Sequence, residues 1–263
     1  MAGIAMLEGW TITSVETIEN YSRVDDTCLS ILDEIKNVSL NNSENSADVT
    51  GKNENVLFTI KKAKAVDCSG TSGYISGNLL ALQTGSEPVE GKLQIRKRET
   101  LKFGTDATTV TLAEKPVGTE GAEILSLLVT VEGATTSTRY TQDTAAGASA
   151  FALTDKTITL PTDTNAKEGE VEVVYNFEAE GASVGNRADT YGKTTHTFIN
   201  CLGKNTCDET YFIQIEIYRA DWTSNFGFDM GGDGTEHPFE FKSLVDKCNG
   251  DNKFWDFKVY KTA

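Results

Sequence analysis

The sequence is poor in the residues that mark secreted, membrane-spanning and catalytic proteins. Its 263 residues include only five cysteines, four prolines and two histidines. So few cysteines over this length exclude a dense disulfide scaffold. No apolar run approaches the ~20 residues that a membrane helix requires, and the first residues carry neither the basic nor the apolar segment of an export signal. We therefore expect a protein that is made and kept in a reducing cytoplasm and has no membrane partner.

Positive charge is also scarce. The chain has 24 Lys and Arg against 39 Asp and Glu, which gives a net charge of −15. The densest basic clusters, Lys61–Lys64 and Arg96–Arg98, are short enough to be solvated strand faces. A DNA-binding protein gains affinity when its cations displace the counterions of the phosphates. The charge balance therefore argues against tight binding of nucleic acid.

The residues needed for catalysis do not form a recognisable set. Of the two histidines, His196 lies in strand-like sequence, and neither it nor His237 has a neighbouring nucleophile and stabiliser. A dyad that used Cys68 or Cys201 has no local support in the sequence. The segment Ser69–Gly73 lacks the Gly-Lys-Ser/Thr that ends a phosphate-binding loop. We expect no catalytic residues and no cofactor.

Two sets of residues contain side chains that could bind a metal, but neither has a suitable spacing. They are Cys201, Cys207 and Cys248 with His237, and Asp229, Asp233 and Glu236. The first set lacks a paired Cys-x-x-Cys, and the second lacks the ligand periodicity of an EF-hand loop. We expect isolated thiols or an incidental disulfide in the first case, a hairpin turn in the second, and no metal.

Alternating polar and apolar residues are the main pattern that is present. They occur at Trp10–Ile18, Val89–Phe103 and Thr210–Arg219, and they predict strands. A further strand is predicted at Trp222–Met230, and residues Asn249–Asp251 predict a hairpin turn. The segment Asp25–Ile35 is ambiguous, because its leucines recur at helical spacing over too few residues. No amphipathic helix of more than about three turns is visible. The chain is therefore predicted to be mainly β.

Residues 47–85 predict a long hairpin followed by one short helix. The predicted turn comprises Thr50, Gly51, Lys52, Asn53, Glu54 and Asn55. The helix signal consists of Ser76 or Asn78 as the N-cap, the apolar residues Leu79, Leu80 and Leu82, and Gly85 as a left-handed stop. This stretch contains no catalytic pattern, and we interpret it as a packing and assembly element.

The composition changes near Gly104. Residues 105–181 contain no Cys or Trp, and they carry 13 acidic against 4 basic residues. Short strand-like segments separated by turn residues are typical of a small immunoglobulin-like sandwich. The segments here are Thr108–Leu112, Ile124–Val131, Thr157–Leu160 and Glu170–Phe177. We predict an acidic module at 105–181, inserted into a parent β domain of residues 1–104 and 182–263. The alternative is that these segments are long strands of one large sheet.

A chain without a catalytic set can still act by binding other chains through the edges of its strands. Unpaired edges are a hazard in a monomer, but they are useful where subunits add edge to edge. A heterologous contact that closes produces a ring, and stacked rings produce a tube.

The sequence resembles the major tail tube proteins of long-tailed bacteriophages. The segments that carry this resemblance are Val49–Asn53, Cys68–Gly73, Gly77–Gly85, Asn225–Asp233, His237–Phe241 and Phe254–Phe257. The resemblance implies a two-sheet antiparallel sandwich or barrel with a short flanking helix. It further implies self-assembly into stacked hexameric rings in the virion tail, built in the host bacterial cytoplasm together with other tail proteins. Genomic DNA would pass through the lumen without specific binding.

The resemblance also gives expected roles to individual segments. The helix residues Asn78, Leu79, Leu80 and Leu82 would cover a sheet, and the hairpin tip at Thr50–Asn55 would reach a neighbouring subunit or ring. The insertion would lie outside the tube. The alternatives are another virion component such as a capsid or decoration protein, a surface carbohydrate-binding β protein, and an enzyme whose site is not visible in the sequence.

Overall fold

The computed structural model describes residues 9–228, 230–231, 234–247 and 252–261. In this part of the chain the protein is mainly β, as predicted, and has one α-helix. The elements in chain order are β1 (Trp10–Ser22), β2 (Cys28–Leu32), β3 (Ile35–Thr50), β4 (Val56–Ser72), α1 (Gly77–Thr84), β5 (Val89–Phe103), β6 (Thr109–Thr111), β7 (Ile124–Val131), β8 (Thr138–Asp143), β9 (Ala150–Thr154), β10 (Thr157–Thr159), β11 (Gly169–Ser183), β12 (Thr194–Asn205), β13 (Thr210–Trp222), β14 (His237–Ser243) and β15 (Trp255–Tyr260). Short 3-10 turns lie at Lys52–Glu54 and Thr162–Thr164.

The chain divides into two compact units. Unit 1 comprises the described residues within 1–88 and 183–263, and unit 2 comprises residues 89–182. The sequence predicts that the insertion starts at 105, whereas the structure includes β5 in unit 2 because β5 is hydrogen-bonded to β11. With β5 included, unit 2 has 15 acidic and 9 basic residues, so the acidic excess is not concentrated in this unit.

Unit 1 is built on one sheet with the strand order β2-β1-β12-β13-β14-β4-β3. The pairings along this order are antiparallel. One edge of β13 pairs with β15 at Phe212–Ile217 and with β14 at Ala220–Trp222. The sheet therefore divides at β13 into one arm that contains β15 and another that contains β14, β4 and β3.

Both arms contribute to one core. Alternate residues of each strand are buried, as in β12, where the pattern of buried and half-buried residues has a period of two. The buried members of the cluster are Ile18, Leu32, Cys68, Leu79, Leu82, Ile199, Cys201, Ile213, Ile215, Ile217, Ala220, Trp222, Phe239 and Phe241. The arm with β14 and β4 and the helix α1 supply buried members of this cluster, and Trp255, Phe257 and Val259 of β15 are partly buried and pack against it.

A chain of buried hydrogen bonds crosses four strands of unit 1. The Asn20 side-chain amide donates to Ser30 Oγ at 2.9 Å and accepts from Thr197 Oγ1 at 2.8 Å. Thr197 Oγ1 lies 2.8 Å from Thr195 Oγ1, which accepts from Trp222 Nε1 at 2.9 Å. A slip of one residue in any of these strands would leave buried polar groups unpaired. The network therefore favours a single register.

Unit 2 has its own sheet and core. Its strand order is β5-β11-β7-β8-β9-β10-β6, with β8 and β9 parallel. Its buried cluster is Phe103, Val110, Leu112, Ile124, Leu127, Val129, Tyr140, Phe151, Ile158, Leu160, Val171, Val173 and Tyr175. Ion pairs join β5 to β11, among them Arg98–Glu172 at 2.5 Å and Lys102–Glu170 at 3.5 Å. The immunoglobulin-like relationship of this unit stays a prediction.

Three segments differ from, or lie beyond, what the sequence predicts. The ambiguous segment Asp25–Ile35 contains the short strand β2 rather than a helix. The strand predicted at Trp222–Met230 is absent, since residues 223–228 form no strand. The turn predicted at Asn249–Asp251 lies outside the described residues.

Candidate assembly surface

The β3–β4 hairpin extends beyond the core of unit 1. Ten consecutive residues of β4, Val56–Ala65, are exposed, and burial with a period of two begins only at Val66. The corresponding half of β3, residues 41–50, is exposed or half-buried throughout. At about 3.4 Å per residue this two-stranded ribbon is roughly 34 Å long. We call residues 41–65 the distal hairpin.

Both edges of the distal hairpin are unpaired in the described part of the chain. β14 pairs with β4 only at Val66–Ser72, and β3 is the last strand of its sheet. A two-stranded ribbon without a third strand or a covering layer is at best marginally stable in water. The exposed edges also present free N–H and C=O groups to any other strand. The distal hairpin is therefore a surface suited to pairing with another strand.

The hairpin turn lies where the sequence predicts it. Thr50 pairs with Val56, and Gly51 N donates to Asn55 O at 2.8 Å. Between them Lys52, Asn53 and Glu54 form a 3-10 turn, in which Asn53 has φ 66° and Glu54 has φ 58°. Thr50–Asn55 thus form the tip of the distal hairpin. Their contact with a neighbouring subunit stays a prediction.

The α1 helix has the caps that the sequence predicts. Ser76 Oγ accepts from Leu79 N at 3.3 Å, which makes Ser76 rather than Asn78 the N-cap. Gly85 ends the helix at φ 71°, and a Cβ there would lie 2.0 Å from Tyr191 O. Only glycine tolerates both constraints.

The four predicted helix residues differ in their burial. Leu79 and Leu82 belong to the core of unit 1, Leu80 is half-buried and Asn78 is exposed. Because Ala81, Gln83 and Thr84 are also buried, α1 is covered on most of its surface. The helix covers the core of unit 1 chiefly through Leu79 and Leu82.

His237 connects α1 to β14. Ser76 N donates to His237 Nδ1 at 3.3 Å, so the ring proton is on Nε2, which donates to Gln83 Oε1 at 2.7 Å. Gln83 Nε2 then donates to Pro238 O at 2.9 Å. Burial lowers the pKa of His237 to about 4, because the charged ring would lose its hydration. His237 therefore acts as a neutral structural residue.

The burial of His237 predicts a pH dependence of stability. Between pH 6.5 and about 4 the unfolded chain binds a proton on His237 and the folded chain does not. The free energy of unfolding should therefore fall by up to about 1.4 kcal/mol per pH unit as the pH decreases through this range, from this group alone. Urea denaturation of the wild type and of His237→Gln between pH 4 and 7 measures it. Free energies of unfolding that change with pH in the same way in the two proteins would contradict the lowered pKa of His237.

The remaining histidine contacts a carboxylate, and the described thiols differ in their burial. His196 Nε2 lies 2.9 Å from Glu216 Oε1, and Glu216 also pairs with Lys258. Cys201 is buried, whereas Cys207 is exposed. Burial raises the pKa of the Cys201 thiol to about 11, with a smaller contribution from Glu16, so it is a poor nucleophile at neutral pH.

The two candidate metal sets have no geometric support in the described residues. Cys248, Asp229 and Asp233 lie outside that part of the chain, and Glu236 pairs with Lys36 at 3.2 Å. Within the described residues, no three His, Cys, Asp or Glu side chains come together as a possible metal site.

The positions of Trp10, Trp222 and Ser69–Ser72 bear on sugar and phosphate binding. Trp222 is buried in the core of unit 1, and Trp10 stacks on Phe257 with 5.3 Å between ring centroids. These two indole rings pack against other side chains, so neither forms an open platform for sugars. The segment Ser69–Ser72 belongs to β4, where it pairs with β14, so it is not a phosphate-binding loop.

Among the described residues, no helix has the length and apolarity that crossing a membrane would need.

The described residues define a mainly β protein in which unit 1 presents a long exposed hairpin. The sequence model of the YomU/Tube protein family matches residues 10–254. The chain belongs to that family and is a structural protein of the phage tail tube. The resemblance to tail tube proteins is thereby confirmed. No curated protein matches the sequence.

Proposed function

We propose that this tube protein assembles with copies of itself through strand edges, into stacked hexameric rings that form a conduit for DNA. The observation that carries the proposal is the distal hairpin, which is unpaired along both edges in the described part of the chain. Pairing with another strand would satisfy its free backbone groups and give it the third strand that it lacks.

The composition of the edge strands supports β3 as the edge that pairs. β3 carries three charged residues among its sixteen, whereas the edge strand of unit 2, β5, carries seven among fifteen. Charged side chains on an edge, lysine above all, discourage the addition of another strand. β5 is therefore protected against pairing, and β3 is open to it.

The other end of the unit 1 sheet offers a complementary edge. β2 pairs with β1 only between Ile18 and Tyr21, so residues 10–17 of β1 are paired only with β12 in the described part of the chain. A contact between the β3 edge of one copy and the β1 edge of the next is heterologous. Such contacts close into a ring when the rotation between copies allows it.

A conduit function is consistent with the charge of the chain. A net charge of −15 repels phosphates, so DNA would slide through the lumen without specific binding. The protein acts without catalysis or a membrane partner. It is assembled in the host bacterial cytoplasm and joins other tail proteins in the virion.

Electron microscopy of the purified full chain tests this function. Negative-stain images over a concentration series should show rings or tubes, and sedimentation velocity should show species far larger than 28.5 kDa. A protomer that stays monomeric at every concentration would contradict the proposal.

Unit 2 should be dispensable for assembly. Deleting residues 105–181 would remove most of β11 and leave β5 without its partner. The test therefore replaces the whole of unit 2, residues 89–182, by a flexible linker. We expect rings or tubes to form as in the wild type, because unit 2 has a core of its own. Loss of assembly in a variant that keeps the circular dichroism of a folded β protein would refute the outer position of this unit.

A further inference from the structure

The distal hairpin and the part of the hairpin next to the core have opposite polarity. Close to the core, the registered pair Leu40 and Cys68 packs into the core of unit 1. The next pair, Asn41 and Asp67, lies on the other face, because successive residues of a strand point to opposite sides. Here the inner face, which is turned to the core, is apolar, and the outer face is polar.

A β-bulge separates the two halves of the hairpin. Glu44 pairs with Lys64, and Ser46 pairs with Lys61, so the register advances by two residues in β3 and by three in β4. The extra residue lies in β4, and β3 keeps its alternation between faces. Odd-numbered residues of β3 beyond the bulge therefore stay on the outer face.

Beyond the bulge the outer face is apolar. Ala47 pairs with Ile60, and Val49 pairs with Phe58. Since directly opposed residues share a face, these four side chains form one cluster, which we call the distal apolar face. Phe58 is 57% exposed and Ile60 is 44% exposed.

Between the bulge and the Asp48–Thr59 pair, the inner face of the distal hairpin is polar. Nearer the tip, Val56 pairs with Thr50 on this face and is 57% exposed. Thr59 Oγ1 donates to Asp48 Oδ1 at 2.6 Å, and Lys61 Nζ lies 3.1 Å from Glu44 Oε1. Both contacts join residues that the register places on the inner face. The protein's own core therefore lies on the wrong side of the hairpin to cover the distal apolar face.

The charge of the hairpin indicates what covers this face. The distal hairpin contains four lysines against Glu44, Asp48 and Glu54, so its net charge is +1, whereas the rest of the chain carries −16. A second copy of the chain has the opposite sign, which favours its approach to this segment. The edges of the same hairpin, which are unpaired among the described residues, provide for strand pairing with that copy.

We infer that the distal apolar face binds a second copy of this chain, which lies on the outer side of the hairpin. This inference rests on the proposed self-assembly and adds the face through which the hairpin is held. The apolar side of the hairpin changes from the inner face to the outer face at the bulge. Near the core it packs inside the protomer, and beyond the bulge it packs against the neighbouring copy.

A pair of matched double variants tests the inference. Phe58→Thr with Ile60→Thr makes the distal apolar face polar and keeps residues that favour strands. Asp48→Thr with Thr59→Val changes two side chains of the inner face instead. The first variant should raise the critical concentration for assembly by at least about tenfold, whereas the second should leave it unchanged. Sedimentation measures both, and thermal unfolding shows that each protomer stays folded.

A photo-crosslinking residue provides a measurement that does not depend on the variants' assembly. Benzoylphenylalanine at position 58 should give crosslinks between chains in assembled protein, and the same residue at position 59 should give few. Equal critical concentrations for both double variants, in protein that assembles, would overturn the inference and leave the proposed function intact. A wild type that never assembles would overturn both.

Discussion

Replacement of residues 47–60 by Asn-Gly should abolish assembly of the chain and leave its melting temperature nearly unchanged. Ser46 and Lys61 are a registered pair, and Asn-Gly forms the two-residue turn that closes such a pair. None of the residues removed is buried, so the core of unit 1 loses no contact. The shortened hairpin retains its pairing with β14 at Val66–Ser72.

Sedimentation velocity and thermal unfolding measure this prediction together. The shortened protein should sediment as a monomer at concentrations at which the wild type assembles. The matched control is the replacement of residues 89–182 by a linker, which removes more of the chain and should still assemble. Tubes formed by the shortened protein would show that the copies do not assemble through the distal hairpin.

Leu79→Asp should unfold unit 1 or bring it close to unfolding. Leu79 is 0% exposed and belongs to the core cluster, so the variant would place an unpaired carboxylate in an apolar site. The expected cost is several kcal/mol, compared with roughly 5–15 kcal/mol for the total stability of a domain. The variant should accumulate as insoluble protein or show a greatly lowered melting temperature.

Two further variants make the test quantitative. Leu79→Ala leaves a cavity and should cost roughly 2–5 kcal/mol in urea denaturation. Asn78→Asp is the control, because Asn78 is exposed one residue away in the same helix. An unchanged melting temperature in Leu79→Asp would show that α1 is not part of the core.

The sequence predicts well those features that depend on neighbouring residues. The hairpin turn at Gly51, the N-cap of α1 at Ser76 or Asn78 and its end at Gly85 follow from capping and backbone preferences that act within a few residues, and the structure selects Ser76. The sequence also predicts β7 at its observed limits, Ile124–Val131, because its apolar run is long and continuous.

Pairings between distant residues are not visible in one sequence. Alternation in Val89–Phe103 predicts a strand, but it does not show that the partner is β11, some 70 residues later in the chain. The predicted boundary between the units therefore lies 16 residues later than the observed one. The contact of His237 with Gln83 spans 154 residues, and a lone histidine before Pro238 gives no signal of it.

The polarity of the distal hairpin can be read only in part from the sequence. The apolar run at Val56–Ile60 is evident, but the face of each residue depends on the bulge between Lys61 and Lys64. A shift of one residue exchanges the two faces of a strand. The structure is needed to show that Phe58 and Ile60 point away from the core-facing side.

Hydrogen exchange of the backbone amides in the distal hairpin tests the central claim most directly. The amides of residues 41–50 should exchange at least about tenfold more slowly in assembled protein than in dispersed protomers, because strand pairing would occupy the free edge of β3. Amides of β12, which is paired on both sides, should change little. Assembled particles in which the distal hairpin exchanges as fast as in the protomer would contradict assembly through these strand edges.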